Sequence, residues 1–124
     1  MSDFKELKVW QKAHELMLRT HQLVDTINGR KFASLKAQMR RSAESIPANI
    51  VESRGHESAK EAARFLRIGL NSATELEYHL LVAFELRAVT REEYTSLTDR
   101  VIEVRKMLYG LIRYLIASGR FAAH

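Results

Sequence analysis

Five cations and no acid fall within twelve residues of this chain: Arg30, Lys31, Lys36, Arg40 and Arg41. Guanidinium and ammonium groups crowded in this way are suited to phosphate oxygens. Arg40 and Arg41 are adjacent, so on a helix they point about 100° apart. One faces outward, and the other is available to an acid of the fold or of an interface. Lys36 and Arg40 are four apart and line up. Lys60, Arg64 and Arg67 form a second basic row, and Arg54 lies between the two rows in sequence. If the segments carrying them are antiparallel neighbours, the rows join into one strip that contacts phosphates without reading base sequence. The opposing reading is a solvated face, neutralised in part by Glu44, Glu57 and Glu61.

Other chemistry finds little support. The histidines are His14, His21, His56, His79 and His124. His14 and His21 are seven apart, roughly 10 Å along a helix, too far to share a metal unaided. His21 with Asp25, and Glu75 with His79, have a four-residue spacing that can place two ligands together. No Glu-x-x-His pair recurs as in di-iron bundles. The chain has no cysteine, so thiolate metal sites, disulfides and a cysteine nucleophile are excluded. There is no glycine-rich phosphate loop and no serine-nucleophile motif. The expectation is a nonenzymatic protein with no metal, no cofactor and no small-molecule substrate. Trp10, Tyr78, Tyr94, Tyr109 and Tyr114 could stack on bases, but their helical register favours burial.

The basic window runs into Gln38–Ser53, QMRRSAESIPANIVES, which holds the only proline, Pro47. Proline inside a helix costs about 3 kcal/mol, because it removes a donor and crowds the carbonyl four residues back. Apolar spacing continues in phase to Ile50, so Pro47 is expected to kink a helix rather than end it. Gln38, Ser42, Ser45 and Asn49 form a polar stripe beside that apolar face. Such a stripe can fix helix register at a contact.

The elements that position these residues are all helical. The first helix is expected from about Glu6 to Ile27, with Val9, Ala13, Leu16, Thr20, Leu23 and Ile27 on one face. Asn28-Gly29 supplies a left-handed termination. The second starts near Ser34 as N-cap, with Leu35, Met39, Ala43, Ile46 and Ile50 inward. The third opens on a Ser58/Glu61 capping box and runs to about Leu86, with Ala62, Leu66, Gly69, Ala73, Leu76, Leu80 and Ala83 on its seam. The fourth opens on a Thr90/Glu93 box and carries Tyr94, Leu97, Val101, Val104, Leu108, Leu111 and Leu115. No segment alternates like a strand. Short polar turns between long helices imply an all-α, antiparallel up-down-up-down four-helix bundle. Additional stripes (Trp10, Met17 and Val24; Leu70, Leu81 and Phe84) exceed what a monomer core needs and point to self-association.

The 124 residues suit one domain, taken as 1–124, and carry a net charge of +5. Outside the basic window, 15 basic residues balance 15 acids, so the excess charge is local. The first residues lack an apolar signal core, and no apolar run reaches the ~20 residues of a membrane span. A soluble cytoplasmic protein is expected, without membrane partners.

Arg40-Arg41-Ser42 followed by Ser45-Ile46-Pro47-Ala48-Asn49-Ile50-Val51-Glu52 resembles the signature of a four-helix-bundle family. That family is named for proteins encoded in intervening sequences of bacterial 23S ribosomal RNA genes. Phe4-x-x-Leu7-x-Val9-Trp10-Gln11-x-Ala13 resembles its opening, and Leu35-x-x-Gln38-x-Arg40-Arg41 the start of its second helix. Phe65-Leu66, Gly69, Ser72 and Glu75-Leu76-Glu77 resemble its third. The likeness runs from about Phe4 to Ile116. Ser53 stands where the family usually has glycine, and Phe32-Ala33 where it often has proline. The resemblance implies a ring-like homopentamer and no catalytic residues. Pro47, Asn49 and Glu52 match its motif in a structural capacity. Accessory proteins of diversity-generating retroelements are similar to the family and bind nucleic acid and a reverse transcriptase.

Two functions are therefore expected to compete. One is an oligomeric nucleic-acid-binding protein, favouring RNA, that uses Lys31, Lys36, Arg40, Arg41, Arg54, Lys60, Arg64 and Arg67. The other is a scaffold that binds a protein partner through the same basic face.

Overall fold

The computed structural model describes residues 3–119; His124 lies outside them. Four helices follow one another: α1 (Lys8–Asp25), α2 (Ala33–Ser53), α3 (Ala59–Glu85) and α4 (Arg91–Ser118). Short 3₁₀ turns at Phe4–Glu6 and Arg30–Phe32 lead into α1 and α2. No strand occurs among the described residues. Each helix packs on its neighbour in the chain, and α1 closes the circuit against α4.

Cross-helix contacts give the directions. Asp25 meets Arg40 while His21 meets Glu44, so α1 and α2 run antiparallel. Gly69 lies against Asn49 and Ser72 against Ser45, which sets α3 antiparallel to α2. Phe84 meets Tyr94 and Glu77 meets Arg105 across α3 and α4. Glu15 with Arg100, and Lys12 with Glu103, join α1 to α4 in the same sense.

The expected seams are the core. Val9, Ala13, Leu16, Thr20, Leu23 and Ile27 are all buried, as are Met39, Ala43, Ile46 and Ile50. The α3 seam from Ala62 to Ala83 and the α4 seam from Leu97 to Leu115 are buried in turn. Thr20 fits this apolar setting because its hydroxyl donates to the Leu16 carbonyl at 2.8 Å. The additional stripes are largely absorbed by the monomer: Val24 is buried, and Trp10, Met17, Leu70 and Phe84 pack on the core. Leu81 of these stripes stays exposed, as do Leu18, Leu86, Tyr109 and Ile116 among others.

Helix ends differ from expectation in instructive ways. Ser34 does not cap α2; Phe32 holds the cap position without a side-chain bond, and the preceding 3₁₀ turn delivers the chain into the helix. Gly29 takes a positive φ of 106° but lies beyond the end of α1, which closes through 3₁₀-type bonds at Thr26 and Ile27. The Ser58 box is half formed. Ser58 accepts from the Glu61 amide, whereas the Glu61 carboxylate turns to Arg64. The Thr90/Glu93 box is complete. Pro47 sits inside a continuous α2.

The end of α3 holds a strained residue. Arg87 has φ 62°, its amide donates to Phe84 O at 3.0 Å, and the Ala88 amide donates to Ala83 O at 2.8 Å. This pair of bonds is the Schellman pattern, normally built on glycine. A β-carbon in that conformation costs about 1 kcal/mol. Arg87→Gly should therefore stabilise the fold by about 1 kcal/mol and raise the thermal midpoint by roughly 4 °C. Arg87→Ala, which keeps the penalty, should leave the midpoint unchanged in the same calorimetric comparison.

Candidate functional site

A groove runs along the surface beside the contact of α2 and α3. Gly69 faces α2 here, and a β-carbon on it would stand in ordinary van der Waals contact, 3.5 Å from Ile46 O and 3.6 Å from the Asn49 β-carbon. Small polar residues line the seam beside it. The Ser72 hydroxyl donates to Ser45 Oγ at 2.7 Å. Asn49 Nδ2 donates to Ser45 O at 2.8 Å and to Ser45 Oγ at 3.0 Å. Ser42 donates to Gln38 O. The polar stripe of α2 is thus satisfied within the chain, and its register role falls at the α2–α3 contact. Gln38 alone of the four is exposed.

Pro47 is buried in the same stretch. Glu52, one turn further, holds His56 with Nε2 at 3.5 Å from its carboxylate. The His56 ring stacks on Phe65 at 4.7 Å, which ties the turn between the helices to α3. Of the three motif residues, Glu52 stands at the α2–α3 corner, while Pro47 and Asn49 lie within α2.

Along this seam lies a groove of about 680 Å³ lined by Gln38, Arg41, Ser42, Ser45, Ser72, Thr74, Glu75, Tyr78 and His79. Arg41 and Glu75 stand on opposite walls, and neither enters an ion pair among the described residues. Tyr78 is 63% exposed, contrary to the burial expected of it, and so is Tyr109 at 55%. Burial pulls the His79 imidazole below its ordinary value near 6.5, while Glu75 pulls it upward.

The expected basic residues divide into three groups. Lys36 and Arg40 turn toward α1, where Lys36 Nζ donates to Ile27 O at 2.8 Å and Arg40 Nη2 meets Asp25 at 2.9 Å. Arg41 turns the other way, into the groove. Lys31 lies over the Phe32 ring at 5.1 Å on the α1–α2 connection, and Arg54 is half-buried at the end of α2. Lys60, Arg64 and Arg67 are exposed on α3. Arg64 meets Glu61 at 3.3 Å and covers the Phe65 ring at 4.4 Å.

The single strip joining Lys36 and Arg40 to the α3 row does not form. With Ser45 level with Ser72, Arg40 lies about 20 Å along the bundle from Arg64. A different stripe exists. Lys60, Arg64, Arg67, Asn71, Thr74 and Tyr78 advance by alternating steps of four and three, and all six are exposed. This stripe leads from the cations into the groove, where Arg41 joins it. The sequence carries the signal in that spacing, which extends beyond the charged residues to Tyr78.

A family model described as 23S rRNA-intervening sequence protein matches residues 5–110. The chain belongs to that family. A crystal structure from Bacteroides thetaiotaomicron VPI-5482, described as a protein with unknown function from the S23 ribosomal protein family, superposes with a TM-score of 0.80. It is 32% identical to this chain, and the match covers 85% of this chain and 98% of that one. No curated protein matches. The family membership accords with the Arg40–Glu52 signature, of which Ser42, Ser45 and Asn49 stand along the α2–α3 contact just described. Among the described residues no helix is long and apolar enough to cross a membrane, and no three acidic or histidine side chains gather into a metal-binding group.

Two outcomes follow from this geometry. Ser45→Ala and Ser72→Ala should each lower unfolding free energy by about 1 kcal/mol, since each removes one side of a largely buried hydrogen bond. The double variant should cost at least ~0.5 kcal/mol less than the sum in denaturant titrations. The folded state disfavours His79 protonation, so stability is complete above the unfolded pKa near 6.5 and declines as pH falls toward the lower folded value. His79→Gln should flatten that part of the acid-side melting profile.

Proposed function

We propose that this protein is a nonenzymatic, cytoplasmic nucleic-acid-binding protein, with single-stranded or loop RNA as its preferred partner. The observation that carries this reading is the exposed α3 stripe. It presents Lys60, Arg64 and Arg67 on one line, followed by polar side chains and an exposed tyrosine. A row of cations neutralises consecutive phosphates, and an aromatic side chain supplies a stacking surface for an unpaired base. Arg41 adds a fourth cation at the groove end of the row. Lys36 and Arg40 hold α2 to the end of α1 and contribute to the fold. Lys31 and Arg54 flank the surface at its ends.

The protein assembles in this reading as a homo-oligomer, for which a pentamer is the family expectation. Exposed Leu18, Leu86, Tyr109 and Ile116 supply apolar surface for subunit contacts. A scaffold function has one observation in its favour. The α3–α4 groove around Leu70, Tyr109 and Gly110 has a basic rim of Arg105, Lys106 and Arg113, which suits an acidic protein segment. A partner retained on the protein after nuclease treatment would support that alternative.

The first reading is tested by titrating a fluorescent single-stranded RNA at several salt concentrations. Affinity should fall steeply with salt. Replacing Arg41, Lys60, Arg64 and Arg67 together by glutamine should weaken binding at least tenfold at low salt. The slope of log affinity on log salt should shrink by roughly 0.7 for each phosphate that the variant no longer neutralises. Lys36→Gln with Arg40→Gln should lower the melting temperature and leave the slope intact. No retention of RNA or DNA by the wild-type protein at low salt would overturn the reading.

A further inference from the structure

The α2–α3 groove holds a combination of groups that phosphate binding alone does not explain. A surface that only gathers phosphates gains nothing from a carboxylate, yet Glu75 lines the groove opposite Arg41. The two charges are close enough to share one groove and are not joined in an ion pair among the described residues. Tyr78, one turn along from Glu75, presents a ring 63% exposed beside them. The floor is already satisfied: Ser42 donates to backbone, and Ser72 and Asn49 both donate to Ser45. The groups left to a ligand are a guanidinium, a carboxylate and an aromatic face, with the Gln38 amide and the His79 imidazole beside them.

We propose that this groove is a guanine-nucleotide subsite, in which Tyr78 stacks on the base, Glu75 accepts hydrogen bonds from its Watson–Crick edge, and Arg41 holds the adjoining phosphate. The proposal rests on the nucleic-acid reading above and specifies which base that surface selects.

The selection follows from donor and acceptor patterns. Guanine presents two donors side by side, the N1–H and the exocyclic amino group, which match the two oxygens of an ionised carboxylate. Adenine presents an acceptor at N1, which a carboxylate repels. Cytosine offers a donor beside an acceptor, and uracil a single donor between two acceptors. Only guanine satisfies both carboxylate oxygens. The groove's ~680 Å³ is ample for one nucleotide. Its position at the end of the Lys60–Arg64–Arg67 line places the captured base where a strand tracking those cations would next deliver one. That line is about 27 Å long from Lys60 to Tyr78.

The experiment uses the full chain and three oligouridine RNAs of equal length, whose central base is guanine, hypoxanthine or adenine. Hypoxanthine keeps the N1–H and lacks the amino group. Fluorescence anisotropy at fixed salt should rank them guanine, hypoxanthine, adenine, with guanine about tenfold tighter than adenine. Glu75→Gln should collapse that ratio toward one. Tyr78→Ala should weaken all three, and Tyr78→Phe should retain the wild-type order. Both side chains are solvent-exposed or at the groove surface, and a thermal melt confirms that each variant is folded. Equal affinity for the three RNAs, or an unchanged ratio in Glu75→Gln, overturns the guanine subsite and leaves the phosphate-binding surface standing. Absence of binding by any of the three overturns both.

Discussion

The α2–α3 contact is the constraint on which the rest of the structure depends. Two helices approach closely only where their facing side chains are small. Gly69, Ser72, Ser42 and Ser45 meet that requirement, and Asn49 closes the seam with bonds to Ser45. A seam of hydroxyls would be costly if any were left unpaired, so the network holds one register more firmly than an apolar seam would. The groove runs along the hydroxyl seam. The register decides which arginine of the adjacent pair faces α3. Arg40 is turned to Asp25 on α1, and Arg41 is left beside Glu75 and Tyr78.

Pro47 lies on the other flank of α2, seven residues on from Arg40 and so on the side that meets α1. Pro47 cannot donate to the carbonyl four residues back, a defect that elsewhere ends a helix. Here α2 continues to Ser53 because Ile46 and Ile50 remain buried on the core side. Glu52 and His56 then carry the chain onto Phe65 of α3. The signature from Arg40 to Glu52 therefore serves both flanks of α2, with Arg40 and Pro47 on the side of α1 and Ser45 and Asn49 on the side of α3. Its two charged ends differ in task. Arg40 and Lys36 secure α1 against α2, and Arg41 faces the groove.

Much of the fold is legible in the sequence because helical periodicity reports burial directly. Leu16, Leu66, Leu80 and Val101 fall on the expected seams and are fully buried. The capping box at Thr90 is equally legible, since it depends on local chemistry. Ser34 and Ser58 mislead to different degrees, because a cap motif competes with the path of the incoming chain and with neighbours such as Arg64. The functional surface is harder to read. Net charge locates cations but not their partners, so Lys36 and Arg40 look available in the sequence when an α1–α2 carbonyl and Asp25 hold them in the fold. Tyr78 stands about 160° around α3 from the Leu66–Leu80 seam, so the helical register itself carries the signal for its exposure.

We place nucleic acid on the Lys60–Tyr78 stripe of α3, with Arg41 across the groove. Photo-cross-linking of bound single-stranded RNA, followed by mass-spectrometric mapping of the modified peptides, tests that placement most directly. Adducts concentrated on Tyr78 and on α3 between Lys60 and Tyr78, with α1 unmodified, are predicted. Adducts confined to α1 or to the Arg30–Phe32 turn, with Tyr78 untouched, would contradict it.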